Sequence, residues 1–157
     1  ILSTREGLNF ETTIESDTAA LTHIVSNLLA GVPDVHMLRD PTRGGLSSTL
    51  NEIAEGAGVT ITLDEQSLPI EPPVRAACDL LGLDPLYVAN EGILLIFLPD
   101  EHAEQALHII RNDPHGKEAR LIGHVTDDRR PEVLLELALG QTRVLDMLSG
   151  EQLPRIC

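Results

Sequence analysis

The apolar side chains of residues 16–30 fall at Leu21, Ile24, Val25, Leu28 and Leu29, a three- and four-residue spacing that predicts an amphipathic helix. Ser16 is placed to cap it, Asp17 suits its first turn, and Gly31 with Pro33 ends it. Residues 35–38 read as a short strand or its edge. Leu46, Leu50, Ile53, Ala54 and Ala57 define a second helix, preceded by Gly44-Gly45 and stopped by Gly56 and Gly58. Residues 59–63 alternate with β-branched side chains and predict a strand. Pro72 and Pro73 open a third helix with its buried stripe at Val74, Ala77, Cys78 and Leu81, and Gly82 follows its end. Residues 93–98 are continuously apolar, as a central strand covered on both faces would be. Asp100 is placed to cap a fourth helix carrying Ala103, Ala106, Leu107 and Ile110 on one face. A turn at residues 113–116 and a strand at 121–125 follow, and 133–139 with 142–148 flank Gly140-Gln141 as a terminal hairpin.

This order predicts an α+β fold in which helices cover a mixed β-sheet. Residues 1–15 read as a linker or first-strand region and 16–148 as the folded body. Residues 149–157 have no periodicity and are expected to form a flexible C-terminal tail.

Charge and composition narrow the function. The 157 residues carry 25 acidic and 11 basic side chains, a formal net charge of −14. Such a chain is a poor fit to nucleic acid or an anionic membrane, which need clustered Lys and Arg. Only Phe10, Phe97 and Tyr87 are aromatic and there is no Trp, so the core is aliphatic and base-stacking platforms are missing. No apolar run is long enough to span a bilayer and no signal-peptide order is visible, so a cytoplasmic location is expected. The chain opens at Ile1 without an initiator Met, which reads as a piece of a longer protein in preference to a trimmed or disordered start. Cys78 and Cys157 cannot build a disulfide framework, and neither they nor the six histidines show metal-ligand spacing; no metal site is expected.

Three constellations could carry chemistry. Arg39-Asp40-Pro41-Thr42-Arg43-Gly44-Gly45 sets an acid, a hydroxyl and a guanidinium immediately before a helix. Helix N-terminal amides attract anions, glycines admit a ligand to the backbone, and Arg43 can bind phosphate bidentately. The same residues also suit a tight turn in which Asp40 and Thr42 cap the helix. Asn90-Glu91-Gly92 precedes the most apolar strand; a carboxylate there could be partly desolvated and suited to proton transfer, or could belong to an ordinary loop. Cys157, the last residue, could be an incidental thiol or a carrier on a swinging arm, with Arg155 nearby to favour the thiolate. Cys78 lies on an apolar stripe and reads as a packed, inert thiol.

The ending Leu153-Pro154-Arg155-Ile156-Cys157, with Asp40-Pro41-Thr42-Arg43-Gly44-Gly45 and Asn90-Glu91-Gly92, resembles the hydrogenase expression/formation family HypE. That family lies within the aminoimidazole ribonucleotide synthetase/selenophosphate synthetase (PurM-like) superfamily. The resemblance runs along essentially the whole chain but covers only the C-terminal half of a two-domain architecture. It implies a PurM-like C-terminal domain, partly ferredoxin-like. It also implies a role in nickel–iron hydrogenase maturation: a carbamoyltransferase, HypF, loads a carbamoyl group on the terminal cysteine. ATP-dependent dehydration then gives a protein thiocyanate, and the cyanide passes to iron on a HypC–HypD scaffold.

By the same resemblance Cys157 carries the substrate, and Glu91 matches the glutamate assigned to proton abstraction. Asp40, Thr42, Arg43, Gly44 and Gly45 match a motif near the nucleotide, where they would position phosphate or tail, and Arg155 would orient the tail. ATP and Mg2+ would be held mostly by the absent N-terminal domain, which also supplies a homodimer interface, so the chain alone is expected to be inactive. Two alternatives stand beside this: a module that docks partners and presents its tail, and another PurM-like ATP-dependent synthetase.

Overall fold

A computed structural model describes residues 14–149. The expected features at residues 1–13 and 150–157, Arg155 and Cys157 among them, lie outside these residues.

Helix α1, Thr22–Gly31, buries Ile24 and Leu28. It starts six residues after Ser16, which does not cap it: the Ser16 hydroxyl instead accepts the Thr18 N–H in a local turn. The segment between them is held elsewhere, because Gly92 packs directly on the Asp17 carbonyl and the Ala19 nitrogen. Strand β1, Met37–Arg39, falls one to two residues later than the pattern suggests, and pairs antiparallel with β3, Leu95–Phe97.

Helix α2, Gly45–Ala57, runs straight through Gly56, around which there is open space. It stops at Gly58, whose φ of 71° is left-handed and whose N–H bonds the Ala54 carbonyl. Strand β2, Thr60–Asp64, follows at once. Helix α3, Pro72–Leu81, opens on its two prolines as expected and buries Cys78. Helix α4, Ala103–Arg111, buries Ala103, Ala106 and Ile110. It grows out of a 3-10 turn, Asp100–His102, and the expected Asp100 cap does not form.

Strands β4, Gly123–Thr126, β5, Glu132–Glu136, and β6, Thr142–Val144, complete a four-stranded mixed sheet of order β4-β2-β5-β6. The β2–β5 pair is parallel and the other two are antiparallel. The terminal hairpin is therefore present, with shorter strands than its apolar runs suggested.

Two aliphatic cores result. The larger joins α2 to the sheet through Leu50, Ala54, Ile61, Leu63, Val133, Leu135 and Leu145. The smaller joins α1 to α4 through Ile24, Leu28, Val32, Ala106 and Ile110. Residues 93–98 do not form the central strand their pattern suggests, because β3 is three residues long in a two-stranded ribbon. Their apolar continuity has another cause: Leu95 and Phe97 pack on the larger core, Ile96 and Leu98 on the smaller. A strand between two cores needs apolar side chains on both faces just as a central strand does.

Candidate functional site

Strand β1 ends at Arg39, whose guanidinium bonds Glu52 of α2 at 2.9 Å on the surface. Asp40 is exposed, Pro41 is buried, and the chain then reverses through Thr42 and the two glycines into α2. The Gly45 N–H closes the reversal on the Thr42 carbonyl at 3.0 Å. No side chain caps this helix. The capped-turn reading of Asp40 and Thr42 is therefore not what forms. Exposed Asp40 and Arg43 with half-buried Thr42 surround a helix start whose dipole favours an anion.

The two glycines serve packing as well. Their φ values of 77° and 62° are left-handed, and a Cβ on Gly45 would stand 2.6 Å from the Val88 carbonyl oxygen and 2.7 Å from that of Leu86. Only glycine lets the loop containing residues 86–88 lie flat against the helix start.

That loop brings the second constellation to the first. The Asn90 N–H donates to the Pro41 carbonyl at 3.1 Å. The Asp17 carboxylate accepts the Glu91 N–H at 3.0 Å and the Asn90 side-chain amide at 3.3 Å. A Cβ on Gly92 would sit 1.6 Å from the Asp17 carbonyl oxygen, so that approach too requires glycine. The Glu91 side chain is exposed, as in the ordinary-loop reading and not the desolvated one: the loop is fixed by its backbone and lies on the surface.

The last described residues arrive at the same place. The Asp146 carbonyl accepts both the Ser47 hydroxyl at 3.0 Å and the Tyr87 hydroxyl at 2.9 Å. The Asn51 amide donates to the Leu145 carbonyl at 2.8 Å, and the Leu148 N–H donates to the Ser48 hydroxyl at 3.2 Å. Leu148 lies beside Gly44. Sequence reasoning missed Asp17, Ser47, Ser48, Asn51 and Tyr87. Ser47-Ser48-Thr49 between Leu46 and Leu50 was the available signal, since three small polar residues buried within a helix need partners.

The remaining features lie elsewhere. An open cleft of about 400 Å³ runs between α3 and the β5–β6 hairpin, where Arg143 pairs with Asp84. Cys78 is buried as expected, and burial, then Asp79 and Asp84, push its thiol up from the ordinary value. Among the described residues no group of three His, Cys, Asp or Glu side chains could hold a metal ion. No helix among them is long and apolar enough to cross a membrane.

The family described as AIR synthase related protein, C-terminal domain, matches residues 1–136. Carbamoyl dehydratase HypE of Azotobacter vinelandii is 55% identical over 157 residues, all of this chain and 46% of that protein. The crystal structure of hydrogenase maturation protein HypE in complex with ATP superposes with a TM-score of 0.92 at 49% identity, covering 99% of this chain and 48% of that one. The crystal structure of a HypE–HypF complex superposes at 0.87 with 37% identity, covering 94% and 48%. The chain thus spans about half the length of the relatives it matches. A mixed sheet under α2, a glycine-paired helix start and a match over 136 consecutive residues agree: the chain belongs to the family of AIR synthase related proteins, as their C-terminal domain.

Proposed function

We propose that this chain is the C-terminal half of an ATP-dependent carbamoyl dehydratase that makes the cyanide ligands of nickel–iron hydrogenase. The observation that carries the reading is the convergence of the Asp40–Gly45 turn, the Asn90–Gly92 loop and the root of the C-terminal segment at one end of α2. The identity to carbamoyl dehydratase HypE supports the choice of chemistry. In this reading residues 1–15 link to the other half, 16–148 form the domain and 149–157 carry the substrate.

The net change removes one water from a thiocarbamate, S–C(=O)–NH2, to leave S–C≡N. ATP supplies the phosphoryl group that makes the amide oxygen a leaving group. The oxygen departs as phosphate, the C–N bond gains two electron pairs, and both amide protons leave nitrogen. Glu91, exposed on a loop fixed by its backbone, accepts a proton from that nitrogen. Cys157 bears the carbamoyl group on sulfur, and Arg155 orients the tail.

The residues present fit one edge of a phosphate site. Arg43 offers a guanidinium and α2 offers its N-terminus, while Thr42, Gly44 and Gly45 shape the turn and Asp40 borders it. Mg2+ would be held with the nucleotide mainly by the other half of the protein. That half also completes a homodimer, so this chain alone is inactive. The carbamoyl donor is HypF, in keeping with the HypE–HypF structure among its relatives, and the acceptor of cyanide is iron on HypC–HypD, in the cytoplasm.

Intact-mass analysis of the full-length protein with HypF, carbamoyl phosphate and ATP tests the reading. One carbamoyl group should appear on Cys157 and then lose one water in an ATP-dependent step. A Cys157→Ala protein that still yields cyanide would refute it.

A further inference from the structure

The segment after β6 is held in an unusual way. Beyond Val144 the chain pairs with the sheet once more, through the Leu145 N–H on the Val133 carbonyl at 2.8 Å, and the Leu145 side chain is fully buried. From there side chains take over from the ladder. Asn51 bonds the Leu145 carbonyl, Ser47 and Tyr87 share the Asp146 carbonyl, and Ser48 receives the Leu148 N–H. Ser and Asn are poorer helix formers than Ala, so α2 carries them at some cost to itself. Met147, between the held residues, is half exposed, so apolar burial is not what keeps this stretch in place.

We propose that Ser47, Ser48, Asn51 and Tyr87 form a clasp that fixes the pivot of the C-terminal arm. They are positioning residues for the dehydration step, and the proposal rests on the reading that Cys157 carries the carbamoyl group. The clasp sets Leu148, the last residue it bonds, beside Gly44 at the start of α2. Nine residues, 149–157, follow Leu148, a reach of at most about 30 Å. Without the clasp the arm begins after Leu145, which its buried side chain and its bond to Val133 still hold, and has twelve residues. For a flexible arm the effective concentration falls as about the −3/2 power of length, about 1.5-fold here, before any loss of direction is counted.

The test uses the full-length protein. Tyr87→Phe with Ser47→Ala removes both donors to the Asp146 carbonyl with little change in volume and no loss of helix propensity, and Tyr87→Phe alone removes a single hydroxyl should the pair fold poorly. Protein carbamoylated beforehand is mixed with ATP, and single-turnover loss of water is followed by mass. The expected result is dehydration slowed about 1.5-fold or more at saturating ATP, with the ATP concentration for half-maximal rate unchanged. Loading by HypF should keep its wild-type rate, and hydrogen exchange should quicken at the Leu148 amide but not within β2.

Ser48→Ala should repeat the slowing, and Ser48→Thr should restore the rate. Dehydration at the wild-type rate in both Tyr87 variants would overturn the clasp, as would equal slowing of loading and dehydration. Cyanide formation by Cys157→Ala would instead overturn the carrier reading itself, so the two failures are distinct.

Discussion

Replacing Gly45 with Ala tests whether the meeting of the two loops rests on one missing methyl group. At φ 62° an alanine carries left-handed strain of about 1–2 kcal/mol. Its Cβ would also fall 2.6 and 2.7 Å from the Val88 and Leu86 carbonyl oxygens and 2.7 Å from the Tyr87 carbonyl carbon. These are backbone atoms, so relief requires the whole loop to move, at about 1–3 kcal/mol for an overpacked contact. That movement pulls the Asn90 N–H from the Pro41 carbonyl, a bond worth about 1 kcal/mol net. The expected total is about 4 kcal/mol, a fall in Tm of about 8–16 °C for a domain of this size. Gly58→Ala is the control: its φ of 71° carries the same strain, but there is open space around it, so the cost is about 1–2 kcal/mol. Urea and thermal unfolding followed by circular dichroism measure both. Equal destabilisation by the two substitutions would refute the reasoning, since only the loop contact separates them.

Glu91→Gln in the full-length protein should still accept carbamoyl but dehydrate about 10²–10⁴-fold more slowly in single-turnover assays, the usual loss of a general base. In the Cys157→Ala chain, Cys78 should resist iodoacetamide until urea unfolds the domain, because burial keeps its thiol protonated and covered. Asp17→Ala removes the acceptor of the Glu91 and Asn90 donors, so amide exchange should rise at Glu91 and stay unchanged in α2. The Ser67 hydroxyl and then the Gln66 N–H hold the Asp64 carboxyl below the usual carboxylate range. A folded pKa below the unfolded one gives stability that is present above about pH 4 and lost as pH falls through the folded value, so Asp64→Asn should flatten the acid limb of the stability–pH curve.

What was legible in the sequence was local. Leu46, Leu50, Ile53 and Ala54 mark α2 because its stripe faces a single core, and Pro72-Pro73 mark α3 because proline preorganises a first turn. Residues 93–98 misled because periodicity records how many faces are covered and not by what. Ser16 misled because a hydroxyl that can cap a helix can equally close its own turn. Gly44-Gly45 and Asn90-Glu91-Gly92 stood out as motifs. Their contact did not, because the Asn90–Pro41 bond spans distant parts of the chain and is fixed only once both loops pack. The acceptor at Asp17 was hidden for the same reason, behind a plausible role in a helix's first turn.

Charge explains why such a junction is built from backbone groups. The chain carries a net −14, and near the turn Asp17, Asp40 and Glu91 outnumber Arg43, while Arg39 is taken up by Glu52. Side chains alone therefore give a phosphate little reason to settle there. The α2 amides and dipole contribute attraction without adding a titratable group that would neutralise Glu91. A cation arriving with the nucleotide would supply the rest of the balance. Glycine is then needed twice over. At Gly44 it leaves room for the Ser48 side chain, and at Gly45 it lets the loop containing residues 86–88 close against the helix start. The rigid part of the fold, α2 on its sheet, thus fixes the turn, the proposed base and the root of the arm with one helix. A displacement of that helix would move all three together and preserve their spacing, whereas a change in any one loop would alter the spacing itself.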